Sequence, residues 1–328
     1  MIISRTPVRI SFAGGGTDVR YFFMHEGGAV VNASINKYVY ITIHRKFDEK
    51  IRVKYSQTEL VERVEDIQHP LFREAMRLVG VTGQVEITSF ADIPTKGTGL
   101  GSSSSFLVGL LHALHAYKRE FVEQKQLARE ACRIERDILQ EEGGYQDQYI
   151  AAYGGLNFME FRQDGSVEIM PLYKQGMVEA LNQRLLLFYT GMTRNSRDIH
   201  QQQRKNAEKN REYLRRMKQF AEQLRIALEQ GKYLDMGSIL HEGWKCKEQL
   251  ADGVSNKTID TWYEKALIAG ALGGKLCGVG GGGFLLFYCE PEKQENVRKA
   301  LKDMKELPFQ LENSGSRIIY AIDNEQYG

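Results

Sequence analysis

The spacing of apolar and polar residues predicts a chain in which strands and helices are mixed. Apolar and polar residues alternate in short runs, as in strands with one buried face, at residues 8–13, 30–31, 38–43, 51–55 and 85–90. Apolar residues three or four positions apart predict helices at residues 71–79, 103–118 and 125–140. In the second of these helices, Phe106, Leu110 and Leu114 recur every four residues.

The same mixture returns in the second half of the chain. A short strand is predicted at residues 156–161, and the apolar run LLLFYTG from Leu185 predicts a buried one. Further on, the pattern predicts helices at 196–230, 259–272 and 293–305 and a strand at 284–288. Because both halves contain strands and helices, we predict an α+β protein with domains at 1–170 and 171–328 and a boundary within 165–183.

Three glycine-rich loops lie next to predicted strands, at residues 12–18 (FAGGGTD), 97–105 (GTGLGSSSS) and 278–283 (GVGGGG). A glycine turn that leads into a serine-capped helix start, as we expect here, exposes backbone N–H groups at the positive end of the helix dipole, where polyanions bind. The second loop has three glycines and four serines in nine residues. An ordinary loop with a serine-capped helix start needs fewer, so this loop predicts phosphate binding.

Charge and composition mainly exclude other classes of protein. The 328 residues carry 44 basic and 42 acidic side chains, a net charge of +2, which favours neither a nucleic-acid partner nor a membrane surface. No apolar run approaches the about eighteen residues that span a bilayer, and the N-terminus lacks an apolar signal core. The four cysteines are scattered without a metal or redox spacing. We therefore predict a cytoplasmic protein with buried thiols.

The glycine loops do not fit the two most common nucleotide-binding motifs. A Walker A loop needs Gly-x-x-x-x-Gly-Lys-Ser/Thr, which does not occur in the sequence. A dinucleotide fold needs its glycine fingerprint after the first strand, with an acidic residue about twenty positions further on. FAGGGTD lacks that spacing and is not followed by a clear amphipathic helix.

The three loops together resemble the three motifs of the GHMP kinase superfamily. TPVRISFAGGGTD is similar to the first motif, IPTKGTGLGSSSS to the second and KLCGVGGGGFLLF to the third, so the resemblance covers essentially the whole chain. It implies the two-domain GHMP kinase fold, in which a domain like domain 2 of ribosomal protein S5 precedes a ferredoxin-like domain. It also implies that ATP binds the second loop, through Lys96, Gly97, Gly99, Leu100, Gly101, Ser102, Ser103 and Ser104.

The resemblance further implies a Mg²⁺ site made by a loop serine and a helix glutamate. The matching residues are Ser103, with Ser102 and Ser104 as alternatives, and Glu135, a carboxylate in an otherwise apolar helical stripe. A buried carboxylate needs a cation or another partner, and Mg²⁺ completes its shell with phosphate and water. A salt bridge from Glu135 to a neighbouring arginine is the alternative.

Two further residues resemble catalytic residues of the superfamily. Asp147 in GGYQDQYIAAYGG is similar to the catalytic aspartate of galactokinase and mevalonate kinase, which accepts the hydroxyl proton during phosphoryl transfer. Arg9 matches the first-motif arginine that lies beside this aspartate in galactokinases. A surface charge at the end of a strand is the alternative for Arg9.

The substrate is predicted from the first motif. Galactokinases have GEHTDY where this chain has GGGTD, so Gly15 and Gly16 leave room for a larger sugar, and Asp18 is expected to accept sugar hydroxyls. The GGGTD form resembles D-glycero-D-manno-heptose 7-phosphate kinases, which phosphorylate the anomeric C1 hydroxyl for nucleotide-activated heptose synthesis. L-fucokinase-like enzymes, or another sugar-1-kinase, are the alternative. The predicted substrate-binding residues are Gly14, Gly15, Gly16, Thr17, Asp18, Gly280, Gly281, Gly282 and Arg194.

The predicted ligands are thus ATP, Mg²⁺ and a small-molecule sugar phosphate, bound by a monomer or homodimer. Arg194, Arg197 and Lys96 are candidates for contacting the phosphate of the substrate. A sensor that binds sugar and ATP without turnover is the alternative from another class, but it would have no need for a base such as Asp147. A decarboxylase related to diphosphomevalonate decarboxylase is disfavoured by the Thr17-Asp18 pair that follows the glycines.

Overall fold

The computed structural model describes residues 1–94, 97–192 and 196–322. Its strands are β1 (Ile2–Ala13), β2 (Gly28–Arg45), β3 (Ile51–Lys54), β4 (Thr58–Val61), β5 (Val85–Ala91), β6 (Leu156–Phe161), β7 (Val167–Pro171), β8 (Leu185–Tyr189), β9 (Gly273–Leu276), β10 (Phe284–Tyr288), β11 (Lys305–Glu306) and β12 (Arg317–Ala321). Its α-helices are α1 (Arg20–Glu26), α2 (Pro70–Val79), α3 (Ser102–Tyr117), α4 (Gln124–Cys132), α5 (Gln146–Tyr153), α6 (Met177–Asn182), α7 (Ser196–Lys205), α8 (Ala207–Gln230), α9 (Asp235–Glu248), α10 (Lys257–Ile268) and α11 (Pro291–Ala300). The α+β class is confirmed.

The first sheet is built around β2 and has the strand order β12-β1-β2-β5-β3-β4, with β6 on β2 and β7 on β6. One edge of β2 pairs with β1 along most of its length, and the other edge pairs first with β6 and then with β5. The sequence predicted two short strands here because polar residues interrupt the apolar run. Asn32 and Ser34 are buried inside one continuous strand, and the Ser34 hydroxyl donates to the Glu312 carbonyl oxygen at 2.6 Å.

The second sheet has the order β11-β8-β10-β9, and all of its strands are antiparallel. The buried side chains of β8 and β10, such as Phe188 and Phe287, pack with Trp244 of α9 in an apolar cluster. Helix α9 packs against β9 and contacts β1, and α8 packs against α9 and against the strands β1 and β2 of the first sheet. Helices α8 and α9 therefore connect the second sheet to the first.

The C-terminal strand β12 returns to the first sheet and pairs with β1, so that Ala321 lies opposite Ile2. The N-terminal ammonium group donates a hydrogen bond of 2.8 Å to the carbonyl oxygen of Ile322. The sequence did not predict β12, because most of its side chains are exposed and its apolar residues form no buried stripe. The domain boundary within 165–183 stays a prediction.

Two long helices predicted from the sequence have irregular centres. The segment predicted at 125–140 forms α4 and continues as a π-helical turn, Arg133–Ile138, which contains Glu135. Insertions of this kind widen a helix locally and are frequent at functional sites. The segment predicted at 196–230 breaks at Asn206 into α7 and α8.

No helix in the described ranges is both long and apolar enough to cross a membrane. The predicted buried thiols are confirmed, because Cys132, Cys246, Cys277 and Cys289 are free and buried.

Candidate active site

The second glycine loop leads directly into α3, as the sequence predicts. The N-cap of α3 is Gly101, with φ of +73°, and no side chain caps the helix, which corrects the expectation of a serine cap. The serine hydroxyls point elsewhere: Ser102 contacts Thr98 at 3.2 Å, and Ser105 donates to the Pro7 carbonyl oxygen at 2.8 Å. The N-terminus of α3 therefore keeps its first backbone N–H groups for a ligand anion.

Gly99 lies where the second and third glycine loops touch. Its φ is +72°, and a Cβ on it would overlap the backbone carbonyl group of Cys277, just before the third loop. Only glycine fits both the left-handed backbone and the close approach. The next residue, Leu100, is fully buried, and its carbonyl oxygen accepts a hydrogen bond of 2.9 Å from the Arg9 backbone N–H. The loop is thereby joined to β1.

Arg9 and Asp147 form a bidentate pair. The Nε and Nη2 atoms of Arg9 each donate to an Asp147 carboxylate oxygen at 2.7 Å, and Nη1 donates to the carbonyl oxygen of Gly99 at 2.7 Å. Burial lowers the pKa of the Arg9 guanidinium, but the charge and hydrogen bonds of Asp147 outweigh it and the pKa lies above its ordinary value. Arg9 therefore stays charged and holds Asp147 against the second glycine loop.

Asp18 is buried and joins the first glycine loop to the helix of Asp147. Its Oδ1 accepts a hydrogen bond from the Gly16 backbone N–H at 2.9 Å, and its Oδ2 accepts one from the Gln146 N–H, at the start of α5, at 3.1 Å. Burial raises the pKa of Asp18, and the neighbouring Asp147 acts in the same direction, whereas the two N–H groups oppose the shift. Each carboxylate oxygen can still accept a further hydrogen bond.

Gly144 faces the Asp18 carboxylate, and a Cβ at this position would overlap Oδ2. We expect Gly144→Ala to displace Asp18 and to lower kcat/KM for the acceptor predicted from the sequence by about 100-fold, because small misplacements of a positioning group have effects of that size. The KM for ATP should stay unchanged in steady-state assays. Gly243→Ala is the control, since nothing lies within 4 Å of its added methyl group. Unchanged acceptor kinetics in Gly144→Ala would contradict the role given to Asp18.

Two adjoining cavities contain these groups. The first, here called the Asp18 cavity, is lined by Asp18 and by Gly15 and Gly16 of the first glycine loop. The second, the loop cavity, is lined by residues of the second and third glycine loops together with Glu135. Seven residues line both cavities: Arg9, Arg136, Glu142, Asp147, His200, Gly278 and Val279. The Arg9–Asp147 pair thus lies where the two cavities meet.

Glu135 is buried in the wall of the loop cavity. Its carboxylate accepts hydrogen bonds from the Ser104 hydroxyl at 2.8 Å, from the Ser103 hydroxyl at 3.4 Å and from the Gln148 side-chain amide. Arg136 lies 3.9 Å away and donates to the backbone carbonyl groups of residues 141, 142 and 144 instead. Burial raises the pKa of Glu135, while Arg136 and the hydrogen bonds lower it less.

The oxygens around Glu135 fit a Mg²⁺ ion. In the described part of the chain, no three His, Cys, Asp or Glu residues cluster as a metal site. Mg²⁺, however, takes one or two protein carboxylates plus substrate phosphate oxygens and water. Glu135 together with Ser103, both in the lining of the loop cavity, supplies that kind of incomplete set. The salt-bridge alternative has one contact in its favour, the 3.9 Å approach of Arg136, but Arg136 makes its hydrogen bonds to backbone carbonyl groups instead.

We expect the melting temperature of ligand-free Glu135→Gln, measured relative to that of the wild type, to increase with pH. The pKa of Glu135 is raised above 4.5 in the folded state, so its ionisation destabilises the wild type from about pH 4.5 up to the raised pKa. The difference in Tm should therefore grow through that window and then level off. MgADP should stabilise the wild type more than the variant.

Thermal unfolding between pH 4 and 8 measures this difference. Glu208→Gln is the control, because that side chain is 87% exposed and its ion pair with Arg211 lies at the surface. A difference in Tm that does not change with pH would contradict the buried-carboxylate interpretation.

Other predicted site residues have different surroundings. Thr17 is fully buried, and its hydroxyl donates to the Ala29 carbonyl oxygen at 2.9 Å, so it joins the first loop to β2 and does not line the Asp18 cavity. Gly14 packs against the same carbonyl group. Gly280 and Gly282 line the loop cavity, whereas the Gly281 N–H donates to the Val254 carbonyl oxygen at 2.8 Å. Lys96 and Arg194 lie outside the described residues.

The structure adds site residues that the sequence analysis did not single out. His200 of α7 lines both cavities, and burial lowers its pKa to about 4, so it is neutral at pH 7. Lys247 of α9 and Lys275 of β9 line the Asp18 cavity and are 5% exposed. Lys247 lies three residues after the buried Trp244 and seven after the buried Leu240, so its place on an apolar helical stripe was a usable signal.

Glycine loops at a helix N-terminus, a buried glutamate beside serines and an aspartate–arginine pair between two cavities define a phosphotransferase site. The chain belongs to the GHMP kinase family. The model of the GHMP kinases N terminal domain matches residues 61–155, and that of the GHMP kinases C terminal domain matches residues 224–306.

The similarity to individual named relatives extends over nearly the whole chain. The chain is 32% identical to D-glycero-alpha-D-manno-heptose 7-phosphate kinase of Campylobacter jejuni, over 92% of this chain and 93% of that protein. It is 25% identical to L-fucokinase/L-fucose-1-P guanylyltransferase of Bacteroides fragilis, over 92% of this chain but 36% of that protein. A crystal structure described as a D-glycero-D-manno-heptose 1-phosphate kinase from Bacteroides thetaiotaomicron superposes with a TM-score of 0.81 at 28% identity, covering 98% of this chain and 100% of that one.

Proposed function

We propose that this protein is an ATP-dependent sugar kinase that phosphorylates the anomeric C1 hydroxyl of D-glycero-D-manno-heptose 7-phosphate and forms the 1,7-bisphosphate. The observation that carries the proposal is the position of Asp147 at the junction of the Asp18 cavity and the loop cavity. A base at that junction can contact an acceptor on one side and a phosphate donor on the other. The identity with the Campylobacter jejuni kinase supports the choice of sugar.

The loop cavity is the proposed ATP site. The N-terminus of α3 and the backbone of the second glycine loop would bind the triphosphate, where the helix dipole favours negative charge. Glu135 and Ser103 would hold Mg²⁺, which neutralises phosphate charge when bound. Gly280 and Gly282 also line this cavity, where side chains would narrow it.

The Asp18 cavity is the proposed acceptor site. Asp18 would accept hydrogen bonds from sugar hydroxyls and so direct the C1 hydroxyl toward Asp147. Asp147 takes the hydroxyl proton as the C1 oxygen bonds to the γ-phosphorus and the bond from that phosphorus to the β-phosphate oxygen breaks, which releases ADP. Arg9 orients Asp147 through its two parallel hydrogen bonds of 2.7 Å. Neutral His200 lines the junction and adds no charge there.

A panel of acceptors tests this proposal. The purified protein is incubated with ATP, Mg²⁺ and, separately, heptose 7-phosphate, heptose 1-phosphate, sedoheptulose 7-phosphate, fucose, galactose and mevalonate, and ADP release is measured. Heptose 1-phosphate belongs in the panel because the names of the two heptose-kinase relatives give the phosphate different positions. We expect heptose 7-phosphate to give the highest kcat/KM. Turnover of fucose alone would replace the heptose assignment with the fucokinase alternative.

The sensor alternative predicts tight binding of sugar and ATP without ADP release from any acceptor. The Arg9–Asp147 pair disfavours it, because a binding protein has no use for an oriented carboxylate between its two ligands. A cytoplasmic location, a monomeric or homodimeric state and the lack of nucleic-acid and membrane partners stay predictions from the sequence.

A further inference from the structure

We propose that Lys247 and Lys275 form the binding site for a phosphate group carried by the acceptor sugar. This inference rests on the proposed function, because it assigns part of the same acceptor site. Helix α9 supplies Lys247, and the adjacent strand β9 supplies Lys275. The two side chains line the Asp18 cavity, and each is only 5% exposed.

Hydrogen bonds to the backbone leave part of each ammonium group unused. The Nζ atom of Lys247 donates to the carbonyl oxygens of Leu276 and Gly278, and the Nζ atom of Lys275 donates to the carbonyl oxygen of Phe12 at 3.2 Å. Each ammonium group has three N–H donors, so three of the six remain. Within residues 1–94, 97–192 and 196–322, neither lysine forms an ion pair.

The charges around the Asp18 cavity leave these lysines in excess. Its lining contains four cationic side chains, Arg9, Arg136, Lys247 and Lys275, and three acidic ones, Asp18, Glu142 and Asp147. Arg9 is paired with Asp147, and Glu142 is paired at 2.7 Å with Arg204. Arg136 lies 3.9 Å from the Glu135 carboxylate and donates to the backbone carbonyl groups of residues 141, 142 and 144. Asp18 is thus the one remaining acidic side chain of this lining for two lysines.

Buried ammonium groups without a full counter-charge are costly, and an anionic ligand offsets that cost. Burial, followed by the charge of Lys275, lowers the pKa of Lys247 well below its ordinary value, and burial lowers the pKa of Lys275 to about 8. A phosphate group in the cavity would favour the charged form of both lysines. The pair is therefore better suited to a ligand anion than to a purely structural role.

The position of the lysines favours the acceptor rather than ATP as the source of the phosphate. Lys247 and Lys275 line the Asp18 cavity and are absent from the lining of the loop cavity. Of the three cationic residues predicted from the sequence to contact the substrate phosphate, only Arg197 is among the described residues. It is exposed and lines neither cavity.

Lys247→Met tests the proposal, with Lys245→Met as the matched control. Lys245 is on the same helix, but its side chain is 51% exposed and pairs with Glu248 at the surface. The kinetics of heptose 7-phosphate are compared with those of the same heptose without phosphate. Lys247→Met should raise the KM for heptose 7-phosphate by about 10- to 100-fold, as expected for the loss of one charged hydrogen bond. The kcat/KM of the unphosphorylated heptose and the KM of ATP should change much less than the KM of heptose 7-phosphate, because neither of these ligands carries the phosphate group of the acceptor.

An equal loss for the two heptoses in Lys247→Met would overturn the proposal. Should this variant fail to fold, Lys275→Met is expected to give the same pattern. Wild-type inhibition by inorganic phosphate is a test without any variant: phosphate should compete with heptose 7-phosphate and not with ATP. Competition with ATP alone would assign the anion site to the loop cavity and overturn the proposal.

Calorimetry separates this inference from the proposed function. Inorganic phosphate is titrated into the wild type, Lys247→Met and the control Lys245→Met. MgADP is present in each titration, so that the loop cavity is occupied. Weaker phosphate binding in Lys247→Met alone, without turnover of heptose 7-phosphate by the wild type, would support the lysine site and reject the assigned sugar. If Lys247→Met turns over heptose 7-phosphate as well as the wild type does, the assigned sugar is supported and the lysine site is rejected.

Discussion

Asp147→Asn is expected to lower kcat by about 100- to 10,000-fold, the range typical for the loss of a general base. The amide keeps the shape of the side chain but cannot take the proton of the C1 hydroxyl. One of the two hydrogen bonds from Arg9 is also lost, because an amide NH₂ group would face a guanidinium N–H. Sugar and ATP should still bind, since Asp18, Glu135 and the second glycine loop are unchanged.

ADP release measures the turnover of Asp147→Asn, and titration calorimetry measures its binding of each substrate. Asp137→Asn is the control, because that carboxylate is 57% exposed and its contact with Arg20 lies at the surface. Nearly full turnover in Asp147→Asn would remove the proposed base from the mechanism. A parallel loss of sugar binding and turnover would instead indicate that Asp147 mainly holds the acceptor.

The parts of the site that the sequence predicted well are those that local chemistry determines. The second glycine loop and α3 combine a turn signal with a four-residue apolar repeat, and both signals are contained in 97–117. The sequence also placed Arg9 beside Asp147, although 138 positions separate them, because each lies within a recognisable motif. Their roles in catalysis stay predictions.

The elements missed by the sequence analysis depend on tertiary packing. Helix α5, which carries Asp147, has only eight residues and is buried on most sides, so it shows no apolar stripe. In α9, Lys247 shares a helix face with Leu240 and Trp244, but it also lies in the polar run KCKE, which resembles a solvated helix surface; packing against β9 buries it. Periodicity reports which residues share a face, and it does not report what covers that face.

Close approaches between distant segments are also invisible in the sequence. Gly144 has no space for a methyl group because the Asp18 carboxylate, 126 positions earlier, lies against it. The π-helical turn that contains Glu135 continues the helical pattern of α4, so periodicity could not distinguish it from an α-helix. Both features shape the site, and both became apparent only from the folded chain.

Asp18→Ala is expected to lower kcat/KM for the heptose by about 100- to 10,000-fold. Two charge-assisted hydrogen bonds to sugar hydroxyls would be lost, each contributing about 1.5–3 kcal/mol. The start of α5 would also lose the hydrogen bond from the Gln146 N–H, which loosens the helix that carries Asp147. The KM for ATP should change little, because Asp18 does not line the loop cavity.

A double-mutant cycle with Gly144→Ala separates the contact from general damage. The added methyl group of Gly144→Ala overlaps the Asp18 carboxylate, and this obstacle is absent once Asp18 is alanine. We therefore expect Gly144→Ala to have almost no further effect on kcat/KM in the Asp18→Ala background. Thermal unfolding of all four proteins checks that each is folded. Additive losses would show that Gly144 acts independently of Asp18, and the geometry of the acceptor site would then need another explanation.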